Sequence, residues 1–525
     1  GELHVRPVLD LHRSEDIEKL RLVADQVAEL CRRFKGSLTA EHGVGLARTE
    51  YVEAQLGPEL VEAVGRIKAL FDPAGVMNPG KIIDDGRFRV DRDLRLGEGS
   101  EIVLPFEQAF AWVGRDDGFV ANLEQCNGCG GCLKAAPTMC PTFSISGDEA
   151  LSTRGRANTI RAALEGRFES SSPLTAPELE EILSSCLSCK ACVAECPSNV
   201  DLAHLKAEVV HARHRLEGAR WIDRLISGAD FLGRMGTLVP GLANAMFGWR
   251  PLRRMAKHAL GLDVDAPVPP FARQRFDTWF RRRDTAVGDD RRRVILWDDT
   301  WVRYHEPSVG RAAVAVLEAA GLEVVLVGDR VCCGRPAASR GMLDVLRRAA
   351  EHNLRALEGT SEPIVFLEPS CWSVFVDEYR QLGVAGADEV AGRCLLFEDF
   401  VAGLFESGAL KPTSFDLTGD VAVHGHCHAK ALTEKAQLAQ VARAVPGNEV
   451  ALLDTGCCGM AGAFGSMDAK YTLSRAVAQP LIEQVETLDS DTYLVASGTS
   501  CRHQIEHLAS KIPLHAAELL DRFLE

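Results

Sequence analysis

The sequence predicts a multidomain chain of α/β and α parts, and three observations carry that prediction. Eight cysteines crowd between Cys126 and Cys196 in two near-copies of one spacing. A Cys-Cys-Gly triplet at Cys332 recurs 125 positions later at Cys457. Around each triplet, short apolar runs alternate with helical periodicity, the βαβ pattern of a parallel sheet. With 525 residues, the chain exceeds what one core holds.

In chain order, residues 1–85 read as α+β, with a strand-like LHVRPVLDL and an amphipathic helix from Glu15 to about Arg33. Residues 86–120 read as a linker. Residues 121–215 read as an α-helical module around the cysteines, with apolar spacing through Leu202, Leu205, Val209 and Val210. A bridge of helices follows over 216–290. Residues 291–412 and 413–525 read as two copies of one small α/β parallel-sheet domain, the product of a duplication. The strand runs are VILW, EVVLV and PIVFLE in the first copy, and VAVHG, VALLD and TYLVAS in the second.

Bulk properties narrow the function. Hydrophobic content of 46% and charged content of 25% describe an ordinary globular chain. A net charge of −15 excludes nucleic acid as a partner, because phosphates require a basic face. Seventeen cysteines in a chain of cytoplasmic appearance point to metal ligands or redox work, not disulfides. No run of about twenty apolar residues occurs, so no membrane span is expected. The chain opens at Gly1 in mid-motif, and a further N-terminal portion is expected to precede it.

The strongest motif is Cys126-x2-Cys129-x2-Cys132 with Cys140-Pro141, repeated as Cys186-x2-Cys189-x2-Cys192-x3-Cys196-Pro197. Two residues between thiolates is the spacing at which a tight loop wraps one corner of a cubane. In two-cluster ferredoxins the cysteine before proline ligates the other cluster. Cys126, Cys129, Cys132 and Cys196 are therefore assigned to one [4Fe–4S] cluster, and Cys186, Cys189, Cys192 and Cys140 to the second. Seven residues separate Cys132 from Cys140, so the first loop is lengthened but loses no ligand. A pair of zinc knuckles is the alternative, but zinc needs only two such pairs.

A two-cluster relay needs a donor and an acceptor. Ala40-Glu41-His42-Gly43-Val44-Gly45 puts a carboxylate and an imidazole on a glycine-flanked loop that a ligand can approach. An ordinary loop histidine is the plain alternative. The segments EHGVGLAR and FDPAGVMNPGK together resemble the C-terminal part of FAD-linked oxidases acting on D-2-hydroxy acids. That resemblance implies His42 as the general base beside the flavin and Asn78 at the flavin ring. It implies Glu41 and His4 as ligands to a divalent metal (Zn or Mn). Arg6, on the same strand as His4, reads either as the cation for the substrate carboxylate or as a solvated surface arginine. The chemistry agrees: oxidation at C2 needs a base for the hydroxyl proton and a cation for the carboxylate. The family's FAD-binding domain is expected before these residues or on another chain.

The C-terminal repeat resembles the cysteine-rich CCG domains of heterodisulfide reductases and of iron–sulfur subunits of glycolate and glycerol-3-phosphate dehydrogenases. The second copy keeps Cys427, Cys457, Cys458 and Cys501, with Gly498 at the fifth cysteine position. The first keeps Cys332, Cys333 and Cys371; its opening cysteine is missing near Asp299-Thr300, and Glu368 takes the first CxxC place. These thiols read as ligands of a further Fe–S centre, as the lining of an acceptor site, or as buried apolar groups. Over 221–260, Trp221, Phe231, Met235, Leu238 and Phe247 mix with Arg224, Arg234, Arg250 and Arg253, reading either as a peripheral membrane contact or as helices packed on their own domain.

In its order of parts the whole chain resembles bacterial FAD/Fe–S D-lactate and D-2-hydroxyglutarate dehydrogenases. The resemblance implies FAD, two [4Fe–4S] clusters, a small-molecule 2-hydroxy acid substrate, and a quinone, cytochrome or flavoprotein as electron acceptor. A homo-oligomer is compatible with it. The competing classes are a non-catalytic electron-transfer subunit docked to a separate flavoprotein and a heterodisulfide-reductase-like enzyme.

Overall fold

The computed structural model describes residues 7–115, 118–134, 139–283, 291–415 and 417–524, apart from the side chains of residues 435 and 436. His4 and Arg6 lie outside the described residues. The chain divides into two compact units, Gly1–Val103 and Leu104–Glu525.

In the first unit the helix Ser14–Arg33 forms where its periodicity places it, with Glu15 and Asp16 in the first turn and Arg32 and Arg33 in the last. A second helix, Pro58–Phe71, starts on a proline, whose fixed φ and missing N–H suit the first helical position. It stops at Asp72, whose carboxylate accepts the N–H groups of Val76 at 3.0 Å and Met77 at 2.9 Å and pairs with Lys68. That carboxylate folds the turn leading into Asn78. The strand expected from LHVRPVLDL forms no ladder over 7–11. A lone strand gains nothing without a partner, and the described residues of this unit offer none.

The second unit contains both copies of the repeat. In the first, β1 (Arg293–Trp297), β2 (Glu323–Val325), β3 (Ile364–Phe366) and β4 (Cys394–Leu396) form a parallel sheet ordered β2-β1-β3-β4. Ile295 registers with Ile364, and Val365 with Leu395. In the second, β5 (Val421–Val423), β6 (Val450–Leu452) and β7 (Tyr493–Val495) are ordered β6-β5-β7, also parallel. One apolar core serves both sheets: Val294, Leu296 and Val365 join Val421, Val423, Phe397 and Leu520. Burying strands on both faces explains their near-continuous apolar runs.

The helices Ala191–Glu195 and Leu202–Glu217 pack between the cysteine loops and the repeat. Part of the expected linker belongs to this unit. Phe110 and Trp112 are buried, Ala111 donates its N–H to the Gln381 carbonyl at 2.5 Å, and the Glu208 carboxylate receives the N–H groups of Ala109 and Phe110. A π-helical turn at Val374–Glu378 turns two successive carboxylates, Asp377 and Glu378, toward the cysteine module.

Candidate iron–sulfur relay and hydroxy-acid site

The two cysteine loops share one backbone path. Gly128 and Gly130 have φ of 76° and 71°; Ser188 and Lys190, at the same offsets, have 52° and 62°. Left-handed φ costs a residue with a Cβ roughly 1–2 kcal/mol, which glycine avoids. The second loop tolerates that cost because its side chains are anchored. Lys190, buried, donates to Asp377 Oδ2 at 2.7 Å and Glu378 Oε2 at 2.7 Å. Ser188 Oγ accepts from Lys206 Nζ at 3.2 Å.

Cys140 joins Cys186, Cys189 and Cys192 around one small cavity, also lined by Pro141, Leu187 and Ala203. Two buried cations stand beside these thiols. Arg156, fully buried, donates from Nη1 to Cys140 Sγ at 3.0 Å. Lys206 Nζ donates to the Cys186 carbonyl at 2.6 Å. Burial alone pushes the Cys186 thiol up, but Lys206 and then Arg156 outweigh it and bring its pKa below the ordinary thiol value. A buried cation is costly unless an anion meets it. A thiolate-ligated iron–sulfur cluster is such an anion, so the donor set fits the group. The Ser188 N–H directed at Cys186 Sγ (3.4 Å) adds the kind of bond that tunes cluster potentials.

The first loop lies nearer the surface. Cys126 and Cys132 are buried and Cys129 is exposed. Cys129 Sγ accepts the Gly131 N–H at 3.4 Å, and Cys132 Sγ accepts the Arg154 N–H at 3.3 Å. The ring of Pro197, next to Cys196, would stand 3.5 Å from a Cβ on Gly131, so the Cys-Pro end of the second motif meets the first loop. Among the described residues, no three Cys, His, Asp or Glu side chains already converge at the spacing of one bare ion. A four-iron cluster holds its thiolates farther apart, on the corners of a cube.

In the second repeat copy, Cys427, Cys457, Cys458 and Cys501 come together at the carboxyl edge of the sheet, where open α/β folds bind ligands. Cys457 takes hydrogen bonds from Cys427 and Cys458, which hold its pKa well below the ordinary value. Cys189 and Cys427 pack on the same small cluster as Cys457, Leu187 and Val477. The thiols of the second ferredoxin-type loop and of the repeat are therefore neighbours. At Gly498, a Cβ would overlap the ring of His426, which fills the space of the missing fifth cysteine.

In the first copy, Cys333 Sγ lies 2.8 Å from Cys371 Sγ, with Cys332 beside them. Asp299 and Glu368 stand where the sequence pattern lacks cysteines. Burial, and then the Glu368 charge, push Asp299 up to about 7. Glu368 Oε2 accepts the Thr499 N–H of the other copy at 2.8 Å, so the two CxxC-type loops face each other.

In the first unit, the two segments read as a hydroxy-acid site are joined by one buried hydroxyl. Thr49 Oγ1 donates to the Gly45 carbonyl at 2.8 Å and accepts the Ile82 N–H at 3.1 Å. Glu41 and His42 are largely exposed, with Oε1 and Nε2 3.7 Å apart. Asn78 adopts a left-handed φ of 46°. No heavy atom lies within 4 Å of where a Cβ would stand on Gly43 or Gly45, so that side of the loop is open to a ligand. Sequence reasoning missed Thr49, Arg156 and Lys206.

The chain matches three family models. Residues 1–82 match the FAD linked oxidases, C-terminal domain, residues 122–200 the 4Fe-4S dicluster domain, and residues 300–375 and 421–506 the Cysteine-rich domain. D-2-hydroxyglutarate dehydrogenase of Pseudomonas putida is 26% identical over 591 aligned positions, covering all of this chain and 55% of that protein. One subunit of the anaerobic glycerol-3-phosphate dehydrogenase of Escherichia coli is 27% identical over 62% of this chain and 83% of its own length. A probable glycolate oxidase iron-sulfur subunit of Bacillus subtilis is 24% identical over 77% of this chain and 94% of its own. The chain spans about half the length of the D-2-hydroxyglutarate dehydrogenases it matches.

Proposed function

We propose that the chain is part of a flavin- and iron–sulfur-dependent dehydrogenase that oxidises a D-2-hydroxy acid, D-lactate or D-2-hydroxyglutarate, to the 2-oxo acid. One observation carries the reading: the EHG loop, tied through Thr49 to the segment after Asn78, occurs in one chain with two thiol tetrads. A bare electron relay has no use for that loop.

FAD, when bound, accepts the hydride from C2 and passes electrons on one at a time. His42 takes the C2 hydroxyl proton on an imidazole nitrogen. Glu41, with His4, would hold a divalent cation (Zn or Mn) against the substrate oxygens, and Arg6 would pair with the carboxylate. Asn78 would help hold the flavin ring. Cys126, Cys129, Cys132 and Cys196 would hold one [4Fe–4S] cluster and Cys186, Cys189, Cys192 and Cys140 the second, a pair that would supply a one-electron relay. The second repeat copy would stand at the exit of that relay, because Cys189 packs with Cys427 and Cys457. Those four thiols, and secondarily Cys332, Cys333 and Cys371, would hold a further centre. The final acceptor is a quinone, cytochrome or flavoprotein, met in the cytoplasm or at the inner face of the cell membrane.

A second reading, an electron-transfer subunit serving a separate flavoprotein, draws support from the two relatives named as subunits. The His42→Ala variant separates them. Substrate-driven flavin bleaching should fall by about 10²–10⁴; an undiminished rate would leave only the subunit reading.

A further inference from the structure

We infer that the helices between Trp221 and Leu260 form a surface that docks on an anionic lipid bilayer. This inference deepens the proposed function for an acceptor met at the membrane, and it names the face that would meet it.

Four short helices follow one another: Trp221–Ser227, Ala229–Gly236, Pro240–Gly248 and Arg250–Leu260. Their inner contacts include polar and glycine-mediated ones, with Phe247 packed against the Phe271 ring at 6.0 Å. Asp230 accepts from Thr300 Oγ1 at 3.0 Å and pairs with Arg330. Side chains on Gly233 and Gly236 would collide with the rings of Tyr304 and Phe271. Asn244 exchanges hydrogen bonds with the Phe271 backbone at 3.0 and 2.8 Å. Arg253 donates to the Ala266 carbonyl, and Lys257 pairs with Asp468 at 2.6 Å. These attachments fix the inner face and leave the large apolar side chains outside.

On Ala229–Gly236 the outer stripe is Phe231, Arg234 and Met235, at i, i+3 and i+4, continuing to Leu238. Phe231 is 65% exposed, Leu242 60%, Trp249 62% and Met255 67%. Isolated exposed apolar residues are ordinary; this many on consecutive helices are not. Arg224, Arg234 and Arg254 are exposed among them and make no ion pair among the described residues. Aromatic and long aliphatic side chains beside unpaired arginines are the composition of a helix lying in a headgroup layer. No helix among the described residues is long and apolar enough to cross a membrane.

Charge argues for an anionic partner and for one orientation. The chain carries a net −15, so an anionic bilayer repels most of its surface and attracts this arginine-bearing face. A bilayer also accepts several protruding apolar groups without a shaped partner groove.

The test is co-sedimentation of the full-length protein with phosphatidylglycerol-containing vesicles and with phosphatidylcholine vesicles, without substrate. Binding should favour the anionic vesicles and weaken at about 0.5 M salt. Replacing Arg224, Arg234 and Arg254 together by Gln should reduce affinity on the order of 100-fold. Replacing Phe231, Leu242 and Trp249 together by Ser should reduce it at least about tenfold, with iron content and elution volume unchanged. Absence of wild-type binding, or variants that bind like wild type, overturns the inference. So does a wild-type dimer that the serine variant splits, since a second copy would then cover the face. No turnover enters the readout, so failure here leaves the dehydrogenase reading intact, and failure of substrate-driven bleaching leaves vesicle binding intact.

Discussion

Arg156, itself fully buried, donates from Nη1 to Cys140 Sγ at 3.0 Å. The bond ties the last cysteine of the first motif to a cavity whose other thiols come from the second motif, the crossed arrangement of two-cluster ferredoxins. It also places a fixed positive charge where an added electron would reside.

The Arg156→Met variant should therefore lower the reduction potential of one cluster and spare the other. A hydrogen bond to a charged group contributes about 1.5–3 kcal/mol, which for one electron corresponds to a drop on the order of 60–130 mV. An EPR-monitored redox titration reads it. Equal shifts in both clusters, or none, would place Arg156 outside the site.

The buried network of Lys190, Asp377 and Glu378 locks the second loop to the π-helical turn. Burial alone would raise Asp377, but Lys190, then His204 and Arg115, hold its carboxyl well below the usual range. A depressed folded pKa gives stability that is complete above the unfolded value of about 3.9 and lost as pH falls below it. Asp377→Asn should thus lower Tm at pH 7, with a loss of roughly 3–5 kcal/mol, and should flatten the fall in Tm below about pH 4. Thermal melts across pH 3–7 check both parts.

Cys457→Ser removes the thiol that accepts from both Cys427 and Cys458. If the second repeat copy holds a centre, iron per chain should fall from above eight to about eight while the two ferredoxin-type EPR signals persist. Wild-type protein with only eight irons would mean these thiols ligate none.

Restoring the missing cysteine should fail. Gly498→Cys forces a Cβ into the ring of His426, and overpacking of this kind costs roughly 1–3 kcal/mol. Chemical denaturation should show that loss without any gain in bound iron.

What the sequence made legible were features set by local spacing. Cys126 to Cys132 and Cys186 to Cys192 hold their thiols on single loops, so the spacing alone reveals them. The parallel sheets were legible too, since VILW and VAVHG sit in near-continuous apolar surroundings. Arg156 was invisible because its partner lies sixteen positions away across a fold the sequence does not display. Lys206 left a trace, as a lysine inside the apolar stripe from Leu202 to Val209. Strand β4 was missed because Cys394-Leu-Leu is short and runs straight into the helix Phe397–Glu406. Phe110 and Trp112 were the overlooked sign that part of the linker is packed.

One chain that links a hydroxy-acid site to an iron–sulfur wire should pass electrons from the flavin to the clusters within a single turnover. The most direct test is rapid mixing of FAD-loaded full-length protein with D-2-hydroxyglutarate, D-lactate or glycolate, followed by absorbance and freeze-quench EPR. One of the D-2-hydroxy acids should bleach the flavin first, and reduced [4Fe–4S] signals should then appear from both clusters. A bleached flavin beside clusters that stay oxidised, or no bleaching by any of these acids, would contradict that link.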